Sequence, residues 1–188
     1  HQGTSSTAVN FNTGTLRMAS RYKNTTTYMF GGYMHDFRVT KGLSRYPYTA
    51  SPVTLTTTNS GMTTPSNSTP TVTASNVTLL TCHAASISDG SSNNTSITVN
   101  GDAAVSDFAP AAGMKSVYFD GTGDYLSISS SNFNPGTGDY TLECWYRADQ
   151  PGNPQEGLVQ IANNPTSNTQ GGIGIMHSIN PVSYTHLT

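Results

Sequence analysis

Long charged side chains are the first thing this sequence lacks. Only two glutamates (Glu143, Glu156) and three lysines (Lys23, Lys41, Lys115) stand in a chain of 188 residues. Helix surfaces draw on such straight-chain residues, so the composition argues against a helical bundle or a coiled coil. Apolar runs are also short, and none approaches the roughly 20 residues that a membrane-crossing helix needs. No membrane span is expected. Cysteine is scarce, and Cys82 and Cys144 with five scattered histidines lack the paired ligand spacing of a zinc site. The two cysteines fall in different predicted strands. Pairing would need their Cα atoms within about 7 Å, and the alternative is two buried thiols acting as small apolar residues.

Catalytic signatures are missing too. There is no nucleophile elbow to arm a Ser-His-Asp set. Gly121, Gly123, Gly136 and Gly138 sit in turns and open no helix, so no phosphate loop forms. Glycoside hydrolysis needs two carboxylates about 5 to 9 Å apart, yet neither glutamate has an acidic residue two positions away. The expectation is a protein that is not an enzyme. Charge is lopsided: residues 1–57 hold Arg17, Arg21, Lys23, Arg38, Lys41 and Arg45 against Asp36, and the remainder holds nine carboxylates against Lys115 and Arg147. The cations are spread over several predicted strands without clustering, which argues for a solvated surface and against nucleic-acid binding.

What the chain has is Ser, Thr and Asn set among short alternating apolar runs, the composition of strands and turns. Strands are expected over residues 15–22, 26–30, 33–40, 76–82, 97–100, 116–119, 125–129, 140–147, 158–162 and 172–177. In the third, Tyr33, Phe37 and Val39 are expected on one face and Asp36 and Arg38 on the other, with His35 on the apolar face as a satisfied core histidine. Residues 51–75 carry Pro52, Pro65 and Pro70 among Ser, Thr and Asn and read as a linker. The clearest local signal is Val117-Tyr118-Phe119-Asp120-Gly121-Thr122-Gly123-Asp124-Tyr125-Leu126-Ser127-Ile128. Two alternating runs flank a Gly-rich turn that supplies positive φ, which predicts a hairpin. Regular turn spacing throughout predicts an all-β fold, an antiparallel β-sandwich.

That hairpin, followed by Asp139-Tyr140-Thr141-Leu142-Glu143-Cys144-Trp145-Tyr146-Arg147, resembles the opening of laminin-G-like domains of the concanavalin A-like jelly-roll superfamily. Val77-Thr78-Leu79-Leu80-Thr81-Cys82-His83, Ser91-Ser92-Asn93-Asn94 and Val99-Asn100-Gly101-Asp102 resemble the motifs that precede it in such a domain. Gly31-Gly32-Tyr33-Met34-His35-Asp36-Phe37-Arg38-Val39-Thr40-Lys41, with Arg45-Tyr46 after it, resembles the closing strand and tail. The resemblance implies that residues 1–50 are the end of one copy and 76–180 the start of another, cut from a tandem array. It also allows closure into one circularly permuted jelly roll, with the closing strand beside the run at 77–83. Residues 181–188 resemble a translated library-adapter tail and are set apart from the fold.

Two site readings follow. Asp120, Asp124 and the carbonyls of the turn between them offer the oxygen ligands that calcium prefers. Laminin-G-like relatives add an acidic residue from the closing strand, here Asp36, and the resemblance implies a structural calcium. The alternative is that Asp120 caps its own turn. For ligands, Trp145, Tyr118, Tyr125 and Tyr146 are candidates to stack on sugar rings, with core packing as the alternative for each. The resemblance extends to tail-fibre and other virion structural proteins of marine phages. It implies a carbohydrate- or surface-binding module on a virion or cell surface, with surface glycans as partners and a homo-oligomeric parent fibre. An accessory domain of a secreted glycoside hydrolase and a ligand-free spacer are the other two classes.

Overall fold

The computed structural model describes residues 15–20, 28–42, 73–110, 112–133, 138–149, 156–162 and 172–177. These residues form ten strands: β1 (Thr15–Met18), β2 (Gly31–Lys41), β3 (Val77–Thr81), β4 (Thr98–Asn100), β5 (Ala104–Ser106), β6 (Ser116–Asp120), β7 (Tyr125–Ser129), β8 (Tyr140–Ala148), β9 (Glu156–Ala162) and β10 (Gly172–His177). Single 3-10 turns lie at Ala74–Asn76 and Ser131–Phe133. One antiparallel sheet runs β10-β9-β1-β7-β4, and the other runs β3-β2-β6-β5 with β8 added on β2. The fold is an all-β antiparallel sandwich.

Strands from both sides of residues 43–72 share both sheets. β1 lies between β7 and β9, and β2 pairs with β3, β6 and β8. β8 follows β2 along one edge. On the other edge β6 takes residues 31–34 and β3 takes residues 37–40. The pairing of β2 with β3 brings the closing-strand motif beside the run at 77–83.

Simple alternation fails in β2, and the reason is local. Asp36 adopts φ +50, and the β2–β8 register slips by one residue between His35 and Arg38. The extra residue is a β-bulge. It lets both Met34 and Phe37 enter the core although they are three residues apart, and it leaves Tyr33 and His35 on the outer face. The expected grouping of Tyr33 and His35 with Phe37 and Val39 is therefore corrected. His35 is nonetheless buried and satisfied. Its Nδ1 bonds the Lys115 carbonyl at 2.5 Å, and its Nε2 lies 3.3 Å from Asp36 Oδ2. Burial alone would lower its pKa, but Asp36 and the Lys115 carbonyl together hold it above the ordinary histidine value.

Of the strand expected over 26–30, residues 28–30 are not a strand. Tyr28 has φ +65, which a strand cannot carry, and residues 28–30 pass between sheets through Phe30 N–H to Ala19 C=O and Gly157 N–H to Tyr28 C=O. β1 ends four residues earlier than expected because Ala19 also takes positive φ, at 65. β5 was not foreseen. Residues 21–27, most of the expected linker and residues 181–188 lie outside the described residues.

The main core cluster is filled from both sheets by Leu16, Met18, Met34, Phe37, Val39, Leu79, Val117, Phe119, Leu126 and Ile128. The far edge of β3 is closed by the following loop. Asp89 accepts the N–H groups of Leu80 and Ser91 on one oxygen and that of Thr95 on the other, while Gly90 N–H bonds the Leu80 carbonyl. Covering an edge this way removes a template for unwanted pairing. Cys82 and Cys144 are free thiols. They lie on opposite sides of β2, and two strand spacings of about 4.8 Å exceed the reach of a disulfide. Burial raises the Cys82 pKa and pushes that of Cys144 up to about 12.

At Gly32, β2 and β8 come too close for a side chain. The φ of Gly32 is +147, and an added Cβ would lie 2.1 Å from the Arg147 carbonyl oxygen. Gly32→Ala is expected to cost at least about 2 kcal/mol in urea unfolding, the scale of a strained substitution at a special backbone position. Gly174→Ala, whose Cβ would meet nothing closer than 3.5 Å, serves as the mild comparison. Equal effects from the two would contradict the β2–β8 packing described.

Candidate functional site

The hairpin β6–β7 builds the first candidate. Asp124, at the end of its turn, is buried, and its carboxylate faces back across the turn. Its Oδ2 accepts the Asp120 N–H at 3.0 Å and its Oδ1 accepts the Asp102 N–H at 2.7 Å. Asp120 Oδ1 caps the turn by accepting the Thr122 N–H at 2.6 Å. Gly121 and Gly123 supply positive φ of 82 and 84. A second turn, ending β4, packs onto this one through Gly101, where a Cβ would lie 2.2 Å from Asp124 Oδ1.

The result is a cluster of three carboxylates, Asp102, Asp120 and Asp124, whose ligand atoms lie within 4.8 Å of one another. Among the described residues no cationic side chain makes an ion pair with any of them. Burial pushes the Asp124 carboxyl above the ordinary carboxylate range. The Asp120 charge and a hydrogen bond with the Asp102 side chain act the same way, and the two N–H donors only partly oppose them. Oxygen-only donors, excess negative charge and, among the described residues, no paired cation are the chemistry of a hard-cation site. Capping of the turn by Asp120, the alternative reading, is also present and does not exclude metal binding.

Asp36 lies elsewhere. It occupies the β2 bulge, buried beside His35, and the third member of the cluster is Asp102. Asp102 belongs to the Asn100-Gly101-Asp102 motif, and its glycine was the available signal, since only a residue without Cβ lets the two turns meet.

The four aromatic candidates separate onto different surfaces. Tyr118 on β6 lies opposite Tyr33 on β2, which lies opposite Arg147 on β8. The Tyr33 and Tyr118 ring centroids are 4.9 Å apart. Phe108, from the β5–β6 loop and 47% exposed, packs 4.7 Å from Tyr33 and takes the Arg147 guanidinium 4.6 Å from its ring centre. Trp145, 46% exposed, is two residues from Arg147 and so shares its face of β8. Tyr118 and Trp145 thus belong to one outer face of the second sheet, together with Tyr33 and Phe108, which sequence reasoning missed. Tyr125 lies on the outer face of the first sheet, where Arg17 sits 5.1 Å from its ring centre. Tyr146 lies where the two sheets meet, edge-on to Phe30 and His177.

The chain matches no family model, no curated protein and no solved structure.

Burial sets how Asp124 contributes to stability. Its folded pKa lies above the unfolded one, so the folded chain holds this proton more tightly than the unfolded chain does. The contribution is full below the unfolded pKa and is lost as pH rises through the folded value. In chelator, Asp124→Asn, whose amide stands in for the protonated carboxyl, is expected to leave stability in acid little changed and to flatten its decline toward neutral pH. Parallel pH–stability curves for the two proteins would contradict this.

Proposed function

We propose that this chain is a non-catalytic carbohydrate- or surface-binding module of the laminin-G-like kind, belonging to a virion or cell-surface protein and stabilised by calcium at Asp102, Asp120 and Asp124. The observation that carries the reading is the group of aromatic rings Tyr33, Tyr118, Phe108 and Trp145 on one face of a sheet. Aromatic faces give sugars a large apolar contact at low entropic cost and leave ring hydroxyls free to hydrogen-bond at their edges. Paired strands hold Tyr33, Tyr118 and Trp145 more rigidly than a loop would.

The non-catalytic part of the reading has separate support. Glu143 is tied to the buried Arg38, with Arg38 Nε donating to Oε1 at 2.7 Å. Glu156 is buried and lies across the strand pair from His177, 3.6 Å from its Nδ1. Neither glutamate stands opposite a second carboxylate in its strand pairing, so neither forms there the carboxylate pair that glycosidic cleavage uses. Calcium in this reading holds the two turns together, neutralising carboxylates that otherwise repel.

Two outcomes are expected. Calcium added to chelator-treated protein raises the thermal midpoint by the equivalent of about 2.7 kcal/mol at a hundredfold excess over Kd. Asp120→Asn abolishes the shift and Asp36→Asn retains it; a shift lost only in the second variant would place the metal elsewhere. On a glycan array, Tyr118→Ala weakens binding at least tenfold, about 1.4 kcal/mol, while Tyr125→Ala on the opposite sheet leaves it within twofold. The reverse pattern would move the binding face to the other sheet.

A further inference from the structure

The register of the second sheet places its aromatic row directly beside a row of carboxylates. Arg147, Tyr33, Tyr118 and Ala104 stand opposite one another across β8, β2, β6 and β5. Two residues along each strand, on the same face, stand Asp149, Gly31 and Asp120, with Asp149 N–H bonded to the Gly31 carbonyl at 3.0 Å. Asp102, two residues before β5, continues the row and meets Asp120 in the carboxylate cluster. Gly31 has no side chain, so β2 places none between Asp149 and Asp120.

Among the described residues, the cations nearest this row are already engaged. Arg147 Nε lies 3.4 Å from Asp149 Oδ1, with its guanidinium over Phe108. Lys115, just before β6, is paired with Asp107. Among the described residues, that leaves Asp120 and Asp102 with no cation of their own. The Tyr118 hydroxyl senses this field. Its pKa is raised by burial first, then by Tyr33 and by the charges of Asp149, Asp120 and Asp124.

We infer that the aromatic face selects neutral saccharides and rejects acidic ones, a specificity that rests on the binding reading above. A sugar stacked on Tyr118 and Tyr33 lays its hydroxyl edge toward carboxylates, which accept hydrogen bonds from hydroxyl groups and repel uronate, sulfate or carboxymethyl groups. Rejection by like charge is as effective a source of specificity as attraction. Calcium weakens the effect without cancelling it, since the three carboxylates of the cluster, Asp102, Asp120 and Asp124, outweigh one divalent cation by one charge while Arg147 balances Asp149.

The test uses the full chain and matched polymers: hydroxyethyl cellulose against carboxymethyl cellulose, and dextran against carboxymethyl dextran, by affinity electrophoresis and calorimetry. At low ionic strength the neutral member of the bound pair is expected to bind at least about tenfold more tightly. The ratio should fall toward one in high salt, where the screening length shrinks to about 3 Å near 1 M. Asp149→Asn, which also releases Arg147, is expected to narrow the low-salt ratio severalfold. Acidic polymers binding as tightly as neutral ones at low salt would overturn the neutral-ligand inference and leave the binding reading standing. Binding to none of the four polymers would overturn both.

Discussion

Everything in the second sheet depends on β2. This eleven-residue strand carries β8 on one edge and β6 and β3 end to end on the other, so three strands take their register from it. Nearly all of it is buried, including residues whose chemistry resists burial. Arg38 is 1% exposed and survives there because Glu143, its cross-strand neighbour, accepts its Nε and lies 2.6 Å from its NH2. Such a pair adds little net stability once desolvation is charged against it. Removing one partner would leave an uncompensated buried charge, so the pair fixes β8 in one register on β2.

The bulge at Asp36 is the device that makes one strand serve two neighbours. By absorbing one residue it returns the core positions to the inner face between the β6-paired half and the β3-paired half. His35 then lies outward and pins the strand to the chain entering β6 through the Lys115 carbonyl. The same geometry keeps Cys82 and Cys144 on opposite sides of the strand, so the question of a disulfide is settled by a strand standing between them. Upstream of the bulge the outer face is aromatic and partly exposed, and downstream it is polar and buried. The candidate ligand face is therefore the half of the sheet organised by Gly31, Gly32 and Tyr33.

Most strands were legible because their signal is local. The alternation in Tyr125-Leu126-Ser127-Ile128 and the turn residues between Asp120 and Asp124 are visible without knowing what lies opposite. What was not legible depended on neighbours. The bulge in β2 could not be read from His35-Asp36-Phe37, since alternation assumes an unbroken ladder, and this grouped Tyr33 and His35 with the core. Tyr28 looks like a strand residue by propensity, yet it takes positive φ where the chain passes between the two sheets. Asp102 was missed as a member of the acidic cluster because its partners are eighteen or more residues away, and only the packing of two turns through Gly101 brings them together. The aromatic candidates were right in type, but the face of each one is a property of the sheet.

Native-state hydrogen exchange tests the role of β2 most directly. If this strand organises the second sheet, the hydrogen-bonded amides of β2, β6 and β8 open together, with one common free energy and one common dependence on denaturant. Amides of β2 that exchange at clearly lower free energy than those of β6 and β8 would show that the sheet stands without it, and the account of the fold and of its outer face would fail.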